Sequence, residues 1–194
     1  MAVILLLAGI GTTLLRDTGS QARKTATDAL SGLIEKARTT ALARRTPVVL
    51  AIAEPGDLPT DDGRCRIGLF QLSAWPERAA ALDAVLLRRW QVLPTGVVLL
   101  PGGVNGLRNP RDEPEATIRY LSGQRLIEGN FHILAFNSRG GLLSPAGSDP
   151  VCLRIAEGAY RQRQPAANSR RKDRVAETTL RIGRLTARPY RLDG

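Results

Sequence analysis

Apolar residues fill positions 2–15, AVILLLAGIGTTLL, and no charge appears before Arg16. From Asp17 to Arg45 the pattern changes. This stretch has no Pro and only two Gly, and its apolar residues fall at Ala26, Ala29, Leu30, Leu33, Ile34, Ala37, Ala41 and Leu42. Spacings of three, four and seven put these on one face of a helix. Glu35, Lys36, Arg38, Arg44 and Arg45 lie off the stripe or at its end, where the two arginines complement the negative pole of the helix dipole. Pro47 stops the helix, because its ring and missing N–H cannot continue the ladder. A hydrophobic helix is thus predicted to run without a strong break into an amphipathic one. A rod of about 45 residues is roughly 65–70 Å long at 1.5 Å per residue. Leu30, Leu33, Ile34, Ala37 and Ala41 are the expected contacts between this helix and the remainder of the chain.

Beyond Pro47 the period becomes that of strands. VVLAIA (48–53) is β-branched and apolar, and RCRIGLFQL (64–72) alternates, with Cys65, Ile67 and Leu69 on one face. The Pro, Asp and Gly between them predict a hairpin loop and an antiparallel pair. Residues 85–103 read as strand, Pro-Thr-Gly turn and strand. TIRYL and its Ser-Gly-Gln turn form a short element. FHILAFNSRGGLLS (131–144) reads as a strand with a turn at Ser138 to Gly141, and VCLRIAEGAYR (151–161) alternates with Cys152 opposite in phase to Leu153 and Ile155. TLRIGRL and ARPYRL close the chain. Turn signals at this spacing favour an antiparallel sheet or sandwich. Residues 75–84 and 102–116 read as loops. The expected class is α+β: a long N-terminal helix, hydrophobic and then amphipathic, packed on an antiparallel sheet or sandwich. Residues 1–16 form the hydrophobic segment, 17–46 the amphipathic helix and 47–194 the β-rich head.

The chain has 194 residues, enough for one domain with a real core plus the helix. Aromatics make up only 4%, so the core must rest on Leu, Val, Ile and Ala. The net charge is +10, a balance that attracts nucleic acid, anionic lipid or acidic partners without choosing among them. The densest charge lies at 161–174, where Arg161, Arg163, Arg170, Arg171, Lys172 and Arg174 face one acid, Asp173. That composition reads as a flexible hairpin tip or disordered loop. Its functional reading is contact with DNA or an acidic partner. Few aromatics lie beside it, so stacking of single-stranded bases is not supported.

Two cysteines, Cys65 and Cys152, are too few for a four-ligand zinc site; a single disulfide is the alternative in an oxidising compartment. The lone His132 stands in FHILAF with no acid–base partner in view. Asp112, Glu113 and Glu115 lack EF-hand spacing, and GGVNG lacks the context of a phosphate loop. No enzyme motif is found, and no cofactor is expected.

The apolar run is shorter than the roughly 20 residues of a free-standing transmembrane helix. It lacks the basic start of a signal peptide. An ordinary buried helix and the back half of a longer membrane segment are the other readings. The layout resembles the type IV pilin superfamily, in detail its minor branch of GspH/FimT-type pseudopilins. MAVILLLAGIGTTLL is similar to the stretch that follows the family's processing motif. In DALSGLIEKARTTALARRTPVVLAI the matching positions are Leu30, Leu33, Ala37, Arg38, Ala41, Arg45 and the strand Val48 to Ile52. FHILAFNSRGGLLSP and TLRIGRLTARPYR resemble later strands, with Ala187 where the family usually has Gly. The family's processing Gly and its early Glu have no counterpart here, so Met1 is expected to be internal to a longer chain.

The resemblance implies a structural subunit of a type II secretion pseudopilus or type IV pilus-like filament, not an enzyme. It implies sister pilins as partners, contact with the inner membrane and possible secreted cargo, with DNA permitted because some relatives are linked to its uptake. The expected location is a single pass through the inner membrane, head in the periplasm. Ile4, Leu5, Leu6, Leu7, Ile10, Leu14 and Leu15 would pack in the membrane or filament core. The alternative is a secreted or periplasmic binding module that uses the basic loop.

Overall fold

The computed structural model describes residues 2–59, 62–76, 81–161, 164–170 and 174–192; of residues 2–18, 169, 170 and 174 it describes the backbone alone. One helix, α1 (Ala2–Arg44), leads into the strands β1 (Val48–Ala53), β2 (Arg66–Leu72), β3 (Leu82–Leu86), β4 (Gln91–Val92) and β5 (Val97–Leu100). A 3-10 turn, Pro110–Asp112, precedes β6 (Ala116–Ser122), β7 (Arg125–Phe136), β8 (Leu142–Ser144) and β9 (Val151–Arg161). β10 (Gln164–Ala167), β11 (Ser169–Arg170), β12 (Arg174–Val175), β13 (Glu177–Ile182) and β14 (Pro189–Leu192) complete the chain.

The expected α+β class is corrected here. Most of the described elements are strands, fourteen against one long helix, and five of the strands close into a barrel. β1 pairs antiparallel with β2, β2 with β3, β6 with β7, and β7 back with β1; the parallel pair β3–β6 completes the ring. Turn signals announce hairpins between neighbours in sequence. They carry no information on the β1–β7 pair, which joins Val48 to Phe136, or on a parallel pair, and those two pairings turn an open sheet into a barrel. A second sheet is built on β9, whose residues 154–156 pair with β5 on one edge and β13 on the other, while β10 pairs with its C-terminal end and β14 lies beside β13. Residues 85–103, read as strand, turn and strand, divide between the sheets: β3 and β4 join the barrel sheet, while β5 crosses to the second.

Strand β1 is buried at every position, which explains its unbroken apolar run. Val49, Ala51 and Ala53 face the barrel interior with Phe70, Leu72, Ile118, Tyr120, Phe131 and Ile133. Trp90 fills the space beside them, its ring edge-on to Phe70 at 5.5 Å and its indole N–H donating to the Tyr120 hydroxyl at 3.3 Å. Gly68 makes room for it: a Cβ there would lie 2.8 Å from the Trp90 ring. Val48, Leu50 and Ile52 point the other way, into a second core shared with Leu69, Leu134, Leu99, Leu153, Ile155, Leu180 and the helix. The helix thus lies where barrel and second sheet meet; it does not cover the face of an open sheet.

The expected inner-membrane single pass is also corrected. Among the described residues no helix is long and apolar enough to cross a membrane. Arg16 and Asp17 end the apolar run, and charged side chains are costly in the hydrocarbon core of a membrane.

Candidate assembly surface on the N-terminal helix

The apolar stripe of α1 dictates how the helix is held. Ala26, Leu30, Leu33, Ile34, Ala37 and Ala41 are all buried in the core shared by the two sheets. The five positions expected from sequence to join helix and head are therefore brought together. Ala29, half-buried, and Leu42, exposed, lie at the border of the stripe.

Polar contacts fix the helix along its length. Near the top of the seat, a Cβ on Gly19 would lie 2.9 Å from a carboxylate oxygen of Glu157, so the helix backbone comes close to β9. Arg23 stands 3.7 Å from the same buried carboxylate. Asp28 pairs with Arg191 of β14. The Arg38 Nε donates to the Thr186 carbonyl at 2.6 Å, while its Nη1 donates to Glu35 at 2.7 Å. Arg44 donates to Gln71, and Gln71 donates to the Thr46 hydroxyl at 3.0 Å. Gln71 is thus a tie between the helix end and β2. Gly19, Arg23 and Glu157 were not singled out from sequence. A Gly inside a helical pattern hints at a close backbone approach, but nothing local points to a strand far along the chain.

Upstream of Gly19 the helix continues to Ala2. Ile4, Leu5, Leu6, Leu7, Ile10, Leu14 and Leu15 lie on this stretch, where the backbone alone is described. At 1.5 Å per residue, the portion from Ala2 to Thr18 is about 25 Å long.

No protein-family model matches the chain, and no curated protein or solved structure matches it either.

Of the basic segment, read from sequence as a flexible hairpin tip or disordered loop, the described backbone forms paired strands, while residues 162–163 and 171–173 lie outside the described residues. β10 pairs with β9, and β11 with β12 through Ser169↔Val175 and Arg170↔Arg174. Arg161 is exposed on β9. Arg163, Arg171 and Lys172 lie outside the described residues, as do the side chains of Arg170 and Arg174. Of the six basic positions, only Arg161 has a described side chain.

The two cysteines are both free and buried, so the bridge considered from sequence is not formed. The alternation of the strands separates them. Cys65 joins the core beneath the helix, whereas Cys152 lies on the opposite face of β9 from Leu153 and Ile155, beneath the segment holding Arg108. Burial pushes the Cys65 thiol up to about 12, so it stays a protonated, unreactive core residue at neutral pH. His132 sits half-buried, with Nε2 3.7 Å from Glu115. Among the described residues, no group of three His, Cys, Asp or Glu is placed to hold a metal ion.

Proposed function

We propose that this protein is a structural subunit of a filament of the minor pilin or pseudopilin kind. The observation that supports the proposal is one long helix, α1, whose second half is held in the head while its first half runs on beyond Gly19. Its second half is seated between two sheets by an apolar stripe and a series of polar ties. Its first half carries the apolar run 2–15. Parallel packing of such runs from neighbouring subunits would bury them at about 25 cal/mol per Å². The seated half would transmit the position of each rod to its head. The residues assigned to packing between rods are Ile4, Leu5, Leu6, Leu7, Ile10, Leu14 and Leu15.

Leu6→Asp tests this reading. A carboxylate among packed apolar rods costs several kcal/mol (~2–5) when unpaired. The variant should keep the parent's head stability in thermal melts yet fail to enter sedimentable filaments assembled with the partner pilins of its own cell. If it still enters them as the parent does, the apolar run is not the packing surface and the proposal fails.

A further inference from the structure

We propose that Asn105 is a self-modification site, an asparagine that converts spontaneously to isoaspartate and thereby opens the loop that covers Cys152. Asparagine is among the thermolabile side chains. The chain has five, and four of them are held or blocked. Asn109 is buried and precedes Pro110, which has no N–H. The Asn137 side chain accepts from the Arg139 and Gly141 N–H groups, both at 2.9 Å. Asn130 lies within β7, its side chain bonded to the Thr117 hydroxyl at 2.8 Å. Asn168, between β10 and β11, donates its backbone N–H to the Glu157 carbonyl at 2.7 Å and precedes a serine. Asn105 alone combines exposure, a glycine after it and a side chain that bonds to no described residue.

The loop is built so that only its tip gives. Its feet are pinned: Asp112 accepts from the Gly102 N–H at 2.7 Å, Asn109 donates to the Leu100 carbonyl at 2.8 Å, and the Arg108 carbonyl accepts from the Cys152 N–H at 2.7 Å. The tip, Val104 to Leu107, is a turn with φ of 51° at Asn105 and 75° at Gly106, closed by one bond from the Leu107 N–H to the Val104 carbonyl at 2.8 Å. In such a left-handed turn the Asn105 side chain leaves the backbone on the side away from the Gly106 nitrogen, so the closed turn keeps the reacting atoms apart. Breaking the one bond frees the tip while the feet stay in place. The Gly106 nitrogen, with no side chain beside it, then attacks the Asn105 side-chain carbonyl carbon. A new C–N bond forms, the amide C–N bond breaks, and the amino group leaves as ammonia with the proton of the Gly106 N–H. Water opens the cyclic imide. Its addition at the main-chain carbonyl routes the chain through the former side chain, one methylene longer and with a free carboxylate. The lengthened tip can no longer close the Leu107–Val104 bond. The Val104 backbone lies against the Cys152 thiol, and Cys152 is fully buried beneath it. Conversion therefore uncovers Cys152.

The test incubates the full native chain at pH 8 and needs no assembly, so its outcome is separate from that of the filament reading. Peptide mapping should show Asn105 gaining one mass unit, the exchange of an amino group for a hydroxyl, at least tenfold faster than Asn137 or Asn168. Most of the product should fragment as isoaspartate. Gly106→Ala, which shields the nitrogen, and Asn105→Gln, which requires a larger ring, should each slow the conversion at least tenfold. Iodoacetamide should label Cys152 at least tenfold faster in the converted chain than in the fresh one, while Cys65, in the core beneath the helix, stays unlabelled in both. Conversion at Asn105 no faster than at Asn137, an unchanged rate in Gly106→Ala, or a Cys152 equally closed before and after conversion overturns the proposal.

Discussion

Replacing Arg111 by Met is expected to lower stability by about 3–5 kcal/mol at neutral pH, because it strands a buried carboxylate. Arg111 sits in the 3-10 turn Pro110–Asp112, and its side chain is only 6% exposed. It pairs with Glu54, just past β1 of the barrel, and donates to the Leu99 carbonyl of β5 in the second sheet. One guanidinium thus ties the two sheets together. Asn109 holds the turn in place: its carbonyl oxygen accepts from the Arg111 N–H at 3.1 Å, and its amide donates to the Leu100 carbonyl at 2.8 Å. Even with Arg111 present, burial holds the Glu54 carboxyl above its ordinary value of 4.5, the arginine opposing that effect only in part.

The direction of the pH dependence follows. A carboxyl raised in the fold binds its proton more tightly there than in the unfolded chain, so stability is lost as pH rises from about 4.5 through the folded value. Without Arg111 the rise grows. The deficit of Arg111→Met in urea unfolding should therefore be larger at pH 7.5 than at pH 4.5. An equal deficit at both pH values, or a loss below about 1 kcal/mol, would mean that Glu54 is not paired as described.

The second large effect is expected at Ile34. Its side chain is fully buried in the core that the helix shares with both sheets. Ile34→Ala removes packing atoms from a site walled by strands on two sides and able to collapse only partly. The expected loss is about 2–5 kcal/mol. Calorimetry should show one transition at lower temperature, since helix, barrel and second sheet share this core. A loss under about 1 kcal/mol, or separate melting of the helix, would show that α1 is not an integral layer of the head.

Legibility of this fold in the sequence followed the range of the interactions. The stripe from Ala26 to Ala41 was readable because helical periodicity is local and the face it marks must be covered. The strands of VVLAIA, RIGLFQL and VCLRIAEGAYR were readable for the same reason. What determines the architecture is not local. The β1–β7 and β3–β6 pairings close a barrel, and no hydrophobic pattern distinguishes a strand in a closed ring from one in an open sheet. Phe70, Trp90, Tyr120 and Phe131 gather inside the barrel only after closure. In the candidate sites, the helix seat was readable, whereas its polar ties through Glu157, Thr186 and Arg191 join residues more than 130 positions apart.

The proposed division of α1 into a seated half and a packing half is tested most directly by amide hydrogen exchange, comparing the free protein with the protein assembled with the partner pilins of its own cell. Amides from Ala26 to Ala41 should be protected in both. Those from Ile4 to Leu15 should exchange readily in the free protein and gain at least tenfold protection on assembly. Unchanged exchange across Ile4 to Leu15 in the filament would contradict the account, since the apolar run would then be buried against no neighbouring rod.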